Sequence, residues 1–139
     1  MVGRLHPGET HSSWLIHGFI RFLLSESRKA RELRSRIVFK IVPMLNPDGV
    51  IIGNYRCTLC GFDMNRNFGG DTAAAALRLN PETNTFKTMA KQQSRLAFFF
   101  DVHSHSSKKS VFIYGPHFPL HSEHYLKIRV LPKLLAEKT

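Results

Sequence analysis

The tightest constraint on this chain is its alternation between two kinds of apolar pattern. Residues 12–26 place Leu15, Ile16, Phe19, Ile20, Leu23 and Leu24 at helical spacing, with Ser12 or Ser13 available as a cap. Ile37–Leu45 is instead a compact apolar run rich in β-branched and aromatic residues, the pattern of a buried strand. Leu96–Val102, centred on Phe98, Phe99 and Phe100, repeats that pattern, and Ser110–Tyr114 is a shorter version. Arg28–Arg36 either continues the first helix or forms a short basic second one, and Thr85–Arg95 can form another. Ser122–Glu137 reads as a helix with Tyr125, Ile128 and Leu131 on one face, kinked or interrupted at Pro132. Asn46-Pro47-Asp48-Gly49 predicts a turn, Val50–Tyr55 an extended stretch and 69–84 an exposed loop. Helices alternating with strands predict an α/β domain with a mainly parallel or mixed sheet flanked by helices.

With 139 residues the chain suits one domain, 1–139, able to hold a core without staples. Its 42% hydrophobic and 22% charged residues argue against wholesale disorder. No apolar run approaches the ~18 residues of a membrane span, and MVGRLHPGET lacks the apolar core of a signal peptide. Two cysteines make no disulfide framework, which fits a reducing, cytoplasmic setting. The net charge of +10 admits nucleic acid or an acidic surface as partner. Much of it lies in residues 21–40, where Arg21, Arg28, Lys29, Arg31, Arg34, Arg36 and Lys40 face only Glu26 and Glu32.

Four stretches carry residues suited to chemistry. His6 and Glu9, three apart, can turn an imidazole and a carboxylate toward one metal ion, or simply end a solvated loop. His103 follows an apolar strand, at the edge where α/β sheets present functional side chains. Two His and one Glu plus a water is a recurrent catalytic zinc set. Asp63-Met64-Asn65-Arg66-Asn67 and Asn54-Tyr55-Arg56 each offer an Arg, whose planar fork suits a carboxylate, although surface turns carry such residues too. Cys57 and Cys60 lack the second pair of a structural zinc site and the helix start of a redox motif, so their spacing reads as coincidence.

Taken in order, five stretches resemble the cytosolic carboxypeptidases, the tubulin-deglutamylating branch of the zinc metallocarboxypeptidases. They are His6–Thr10, Val42–Val50, Gly53–Cys57, Asp63–Asn67 and Asp101–Ser106, and Tyr125–Leu135 is similar to a helix that follows in that branch. The resemblance implies a partial metallocarboxypeptidase-like mixed sheet flanked by helices. It implies one zinc ion held by His6, Glu9 and His103, with His105 outside the ligand set. Arg56 matches the residue that polarises the scissile carbonyl, and Asn65 and Arg66 the pair that grips a C-terminal carboxylate. Lys108 and Lys109 are candidates for holding a polyglutamate chain, with a plain charged turn as the alternative. The general-base Glu and a closing Tyr are expected beyond Thr139, making 1–139 the N-terminal part of a catalytic domain.

The resemblance further implies removal of terminal or side-chain-linked glutamates from acidic protein tails such as those of tubulin, in the cytosol, near microtubules and not at a membrane. A basic module for nucleic acid is less well supported, since 28–40 offers only Phe39 for stacking and no module signature. A catalytically silent chain that binds acidic tails is the remaining alternative.

Overall fold

The computed structural model describes residues 1–66, 88–89, 91–92 and 95–138. The chain divides into two compact units, Met1–Ser104 and His105–Thr139. In the first, strand β1 (Val2–Gly3) lies parallel to β2 (Asp101–Val102), pairing Val2 with Asp101 and Gly3 with Val102. On its other side Val2 bridges Val42, also in parallel. The ladder among the described residues is parallel, one of the two arrangements that the alternation of helices and strands predicts.

Both predicted long strands are shorter than their apolar runs. Within Ile37–Leu45 only Val42 makes a bridge. Its amide donates to the Met1 carbonyl, and its carbonyl accepts from Gly3. Pro43 next to it has no N–H to offer a ladder, and Ile37 still closes the preceding helix on Leu33. Leu96–Val102 narrows to β2, the two residues that pair with β1. Phe98, Phe99 and Phe100 are consequently exposed. Ser110–Tyr114 is not a strand.

Helix α1 (Thr10–Leu24) packs on this ladder, with Ile16 fully buried against Gly3. Its core stripe runs through Ile16 and Leu23; Leu15 and Leu24 sit off that stripe and are exposed. Neither Ser12 nor Ser13 caps it. Glu9 is the N-cap and makes no side-chain capping bond. Helix α2 (Arg28–Arg36) is separate, capped by Ser27 and anchored by buried Ala30.

The stretch expected as a turn starts helix α3 (Pro47–Ile52), so the extended reading of Val50–Tyr55 is also corrected. Asn46 caps it by accepting from the Gly49 amide, and Pro47 occupies a first-turn position that requires no N–H donor. Leu5, Leu45 and Met64 form the buried cluster beneath this region, with Val42 against it. In the second unit, helix α4 (Glu123–Ala136) is capped by Ser122 and runs unbroken through Pro132. Tyr125, Ile128 and Leu131 are half-buried, as the periodicity predicted, and so is Pro132. The loop 69–84 falls outside the described residues, as does most of Thr85–Arg95.

Candidate metal centre

Four short segments assemble the site. Between β1 and α1, Leu5 is buried in the core and His6 is buried beside it. Gly8 crosses close to Tyr55: its amide donates to the Tyr55 carbonyl at 2.8 Å, and an added Cβ would stand 2.8 Å from that oxygen. This contact ties the His6–Glu9 loop to the segment carrying Arg56. The end of β2 delivers His103 and Ser104 to the same place.

The Glu9 carboxylate, freed from capping duty, lies between two rings. Its Oε1 is 2.7 Å from His6 Nδ1 and its Oε2 is 2.9 Å from His103 Nδ1. The Ser104 amide also donates to Oε2, at 2.9 Å. The ring centroids of His6 and His103 are 4.9 Å apart. One ligand atom from each of His6, Glu9 and His103 lies within 4.8 Å of the others.

The far nitrogens also meet carboxylates. His6 Nε2 is 3.1 Å from Asp63 Oδ1, and His103 Nε2 is 2.9 Å from Asp101 Oδ2. The second is a close charge pair lacking hydrogen-bond alignment, since His103 Nε2 and Asp101 Oδ1 have no hydrogen-bond partner. Asp63 also takes the Asn65 amide on Oδ1 at 2.9 Å and Arg56 Nε on Oδ2 at 2.7 Å.

Burial alone would raise the Glu9 carboxyl, but bonds from His103, His6 and the Ser104 amide hold it far below the ordinary range. The same contest leaves Asp63 lowered, with His6, Arg56 and the Asn65 amide outweighing desolvation. Asp101 first, then Glu9, push His103 up to about 9 against the opposing effect of burial.

These residues fit a divalent cation. A neutral imidazole has one N–H and one lone pair, yet each ring faces carboxylate oxygen at both nitrogens. A lone pair therefore confronts an anion unless a proton or a metal stands between them. Three carboxylates outnumber the guanidinium of Arg56 and a protonated His103 together, so negative charge is left over, and a dication taking the place of that proton offsets it. Carboxylates behind the far nitrogens are the arrangement that orients metal-binding histidines.

Comparison with known proteins agrees with this geometry. Residues 1–118 match the model of the family described as zinc carboxypeptidase. The chain belongs to that family. It is 42% identical over 137 residues to mouse cytosolic carboxypeptidase 2, and 43% identical over 138 residues to mouse cytosolic carboxypeptidase 6. Each match covers 99% of this chain, but only 16% and 25% of those proteins. A solved metallo-carboxypeptidase from Burkholderia cenocepacia superposes with a TM-score of 0.65 at 30% identity, over 75% of this chain and 28% of that one.

For this zinc carboxypeptidase relative, the structure brings His6, Glu9, His103 and Arg56 into one network. Asn65 and Arg66 follow Asp63 in a short 3-10 turn (Met64–Arg66), with Arg66 exposed and without an acidic partner among the described residues. Asn67 lies outside the described residues. Lys108 and Lys109 belong to the second unit, where the Lys108 ammonium stands 4.9 Å and 4.8 Å from the ring centroids of Phe112 and Tyr114. His105 Nδ1 accepts the Ser107 and Lys108 amides, so that nitrogen is already engaged. Cys57 and Cys60 are free thiols, and neither joins the cluster.

Sequence reasoning left Asp63 and Asp101 without roles. A carboxylate two residues before His103, and another inside the Asn65–Arg66 stretch, were the available signals.

Proposed function

We propose that this chain holds one zinc ion on His6, Glu9 and His103 and provides part of the active site of a carboxypeptidase that removes glutamate from acidic protein tails. The observation that supports it most is the Glu9 carboxylate lying between the Nδ1 atoms of two rings, each backed by a further carboxylate. Bound there, zinc would acidify a water and polarise the scissile carbonyl.

The chain's own residues do the rest. Asp63 and Asp101 aim the two rings. Asp63 also grips Arg56 through Nε, orienting the guanidinium to meet negative charge as it develops on the carbonyl oxygen. Arg66, exposed and with no acidic partner among the described residues, would take the substrate's terminal carboxylate, with Asn65 beside it. Each carboxylate at the cluster already faces a histidine ring, so none is offered as general base.

The net charge of +10 favours acidic substrates by steering. Lys109 and, if it leaves its aromatic neighbours, Lys108 would add to that pull. Tubulin-like tails in the cytosol, near microtubules, are the natural class. Among the described residues no helix is long and apolar enough to cross a membrane.

The test is titration of a glutamate-terminated peptide into the chain with and without zinc. Zinc-dependent binding is expected, with Arg66→Ala weakening it more than Arg56→Ala, because Arg56 acts mainly on developing charge. Binding indifferent to both zinc and Arg66 would sink the proposal.

A further inference from the structure

Arg4 is the residue whose conformation and contacts the zinc-site reading does not use. It immediately follows β1 and adopts a φ of 52°, a region that disfavours side chains other than glycine. A glycine would take this turn without strain, so the presence of an Arg here calls for a role for its side chain.

That side chain spans the His6–Glu9 loop. Arg4 Nε donates to the Pro7 carbonyl at 2.7 Å, and Nη1 donates to Ser13 Oγ at 2.9 Å. The Arg4 amide donates to Ser12 Oγ at 3.0 Å, and the Ser12 hydroxyl passes on to the Glu9 carbonyl at 2.8 Å. The Arg4 carbonyl accepts from the Asn46 amide at 3.2 Å. Two carbonyls of the four-residue loop, at Pro7 and at Glu9, are thus tied to Arg4 directly or through one hydroxyl. The same hydrogen bonds hold the loop to the first turn of α1, through Ser12 and Ser13.

We infer that Arg4 is a positioning residue for the metal centre, bracing the loop so that His6 and Glu9 meet an incoming zinc ion already aligned. It touches neither metal nor substrate; it acts by restricting where the two ligands can point. This rests on the zinc-site reading above.

The experiment measures zinc affinity by competition with a chromophoric chelator, and records the visible spectrum of the cobalt(II)-loaded chain. Three variants are compared with the unaltered sequence: Arg4→Gly, Arg4→Lys and Ser13→Ala. Arg4→Gly keeps the left-handed turn and removes the guanidinium, so any loss reports the side chain. Its zinc affinity is expected to fall by about 10- to 100-fold, the usual effect of removing a group behind a metal ligand, with altered cobalt bands. Arg4→Lys should recover only part of that loss, because a single ammonium cannot reach Pro7 and Ser13 as the planar fork does. Ser13→Ala should give a smaller loss in the same direction, without a change in melting temperature.

A folded Arg4→Gly chain with unchanged zinc affinity and cobalt bands would overturn the inference while leaving the zinc site standing. Should Arg4→Gly not fold, wild-type behaviour of both Arg4→Lys and Ser13→Ala would overturn it equally. Failure of the unaltered chain to bind zinc would instead bring down the zinc-site reading, and this inference with it.

Discussion

The loop His6–Glu9 and the segment Ser110–Tyr114 are both short, irregular and rich in functional groups, yet they are held very differently. In the first, partners arrive from distant parts of the chain: Glu9 meets His103, His6 meets Asp63, and the Leu5 carbonyl accepts from Asn46. In the second, Val111 is 85% and Tyr114 71% exposed, and the notable contacts are local ones of Lys108 with Phe112 and Tyr114. The polar loop is the better held of the two, so the apolar character of a segment does not decide how firmly it is held. What separates them is a buried cluster beneath one loop, on which long-range polar contacts can act with little entropic cost.

The largest expected effect breaks that support. Ile16→Ala should destabilise the first unit by about 2–5 kcal/mol, because Ile16 is fully buried. Val111→Ala should change stability by less than about 0.5 kcal/mol. Urea unfolding followed by circular dichroism measures both, and equal effects would erase the contrast.

Next in size is Asp63→Ala, which strips the partner from both His6 Nε2 and Arg56 Nε. Zinc affinity should fall by about 10- to 100-fold, whereas Lys108→Ala should leave it unchanged. Chelator competition reads the difference.

A smaller effect compares two helix caps. Asn46 both caps α3 and donates to the Leu5 carbonyl, while Ser122 only caps α4. Each loss should cost about 0.5–2 kcal/mol, with Asn46→Ala nearer the upper value. Thermal melts of the two variants decide it. The smallest effect concerns Cys57 and Cys60: replacing both with Ser should leave zinc content unchanged by elemental analysis.

What the sequence made legible follows from the range of the forces involved. Helices α1, α2 and α4 were visible because period and caps are local, although α1 begins two residues early and uses Glu9 rather than a Ser. His6, Glu9 and His103 were candidates chiefly through the family resemblance, since a His and a Glu three apart is a weak pattern by itself, and the fold brings the three together. The strands were overestimated, since an apolar run becomes a strand only where a partner backbone lies alongside, and β1 lies alongside only Asp101 and Val102 of the second run. Helix α3 was missed by weighing Pro47 and Gly49 as turn formers, when Asn46 followed by Pro is equally an N-cap followed by a first helical residue. The roles of Asp63 and Asp101 depend on which ring each faces, and that is a tertiary fact.

The central claim is that Glu9 joins His6 and His103 in one metal site, with His105 outside it. Zinc bound per chain after dialysis against a dilute zinc buffer tests it most directly, comparing the unaltered chain with His103→Ala and His105→Ala. The account predicts one zinc per chain, lost in His103→Ala and kept in His105→Ala. A full zinc equivalent surviving in His103→Ala would contradict it.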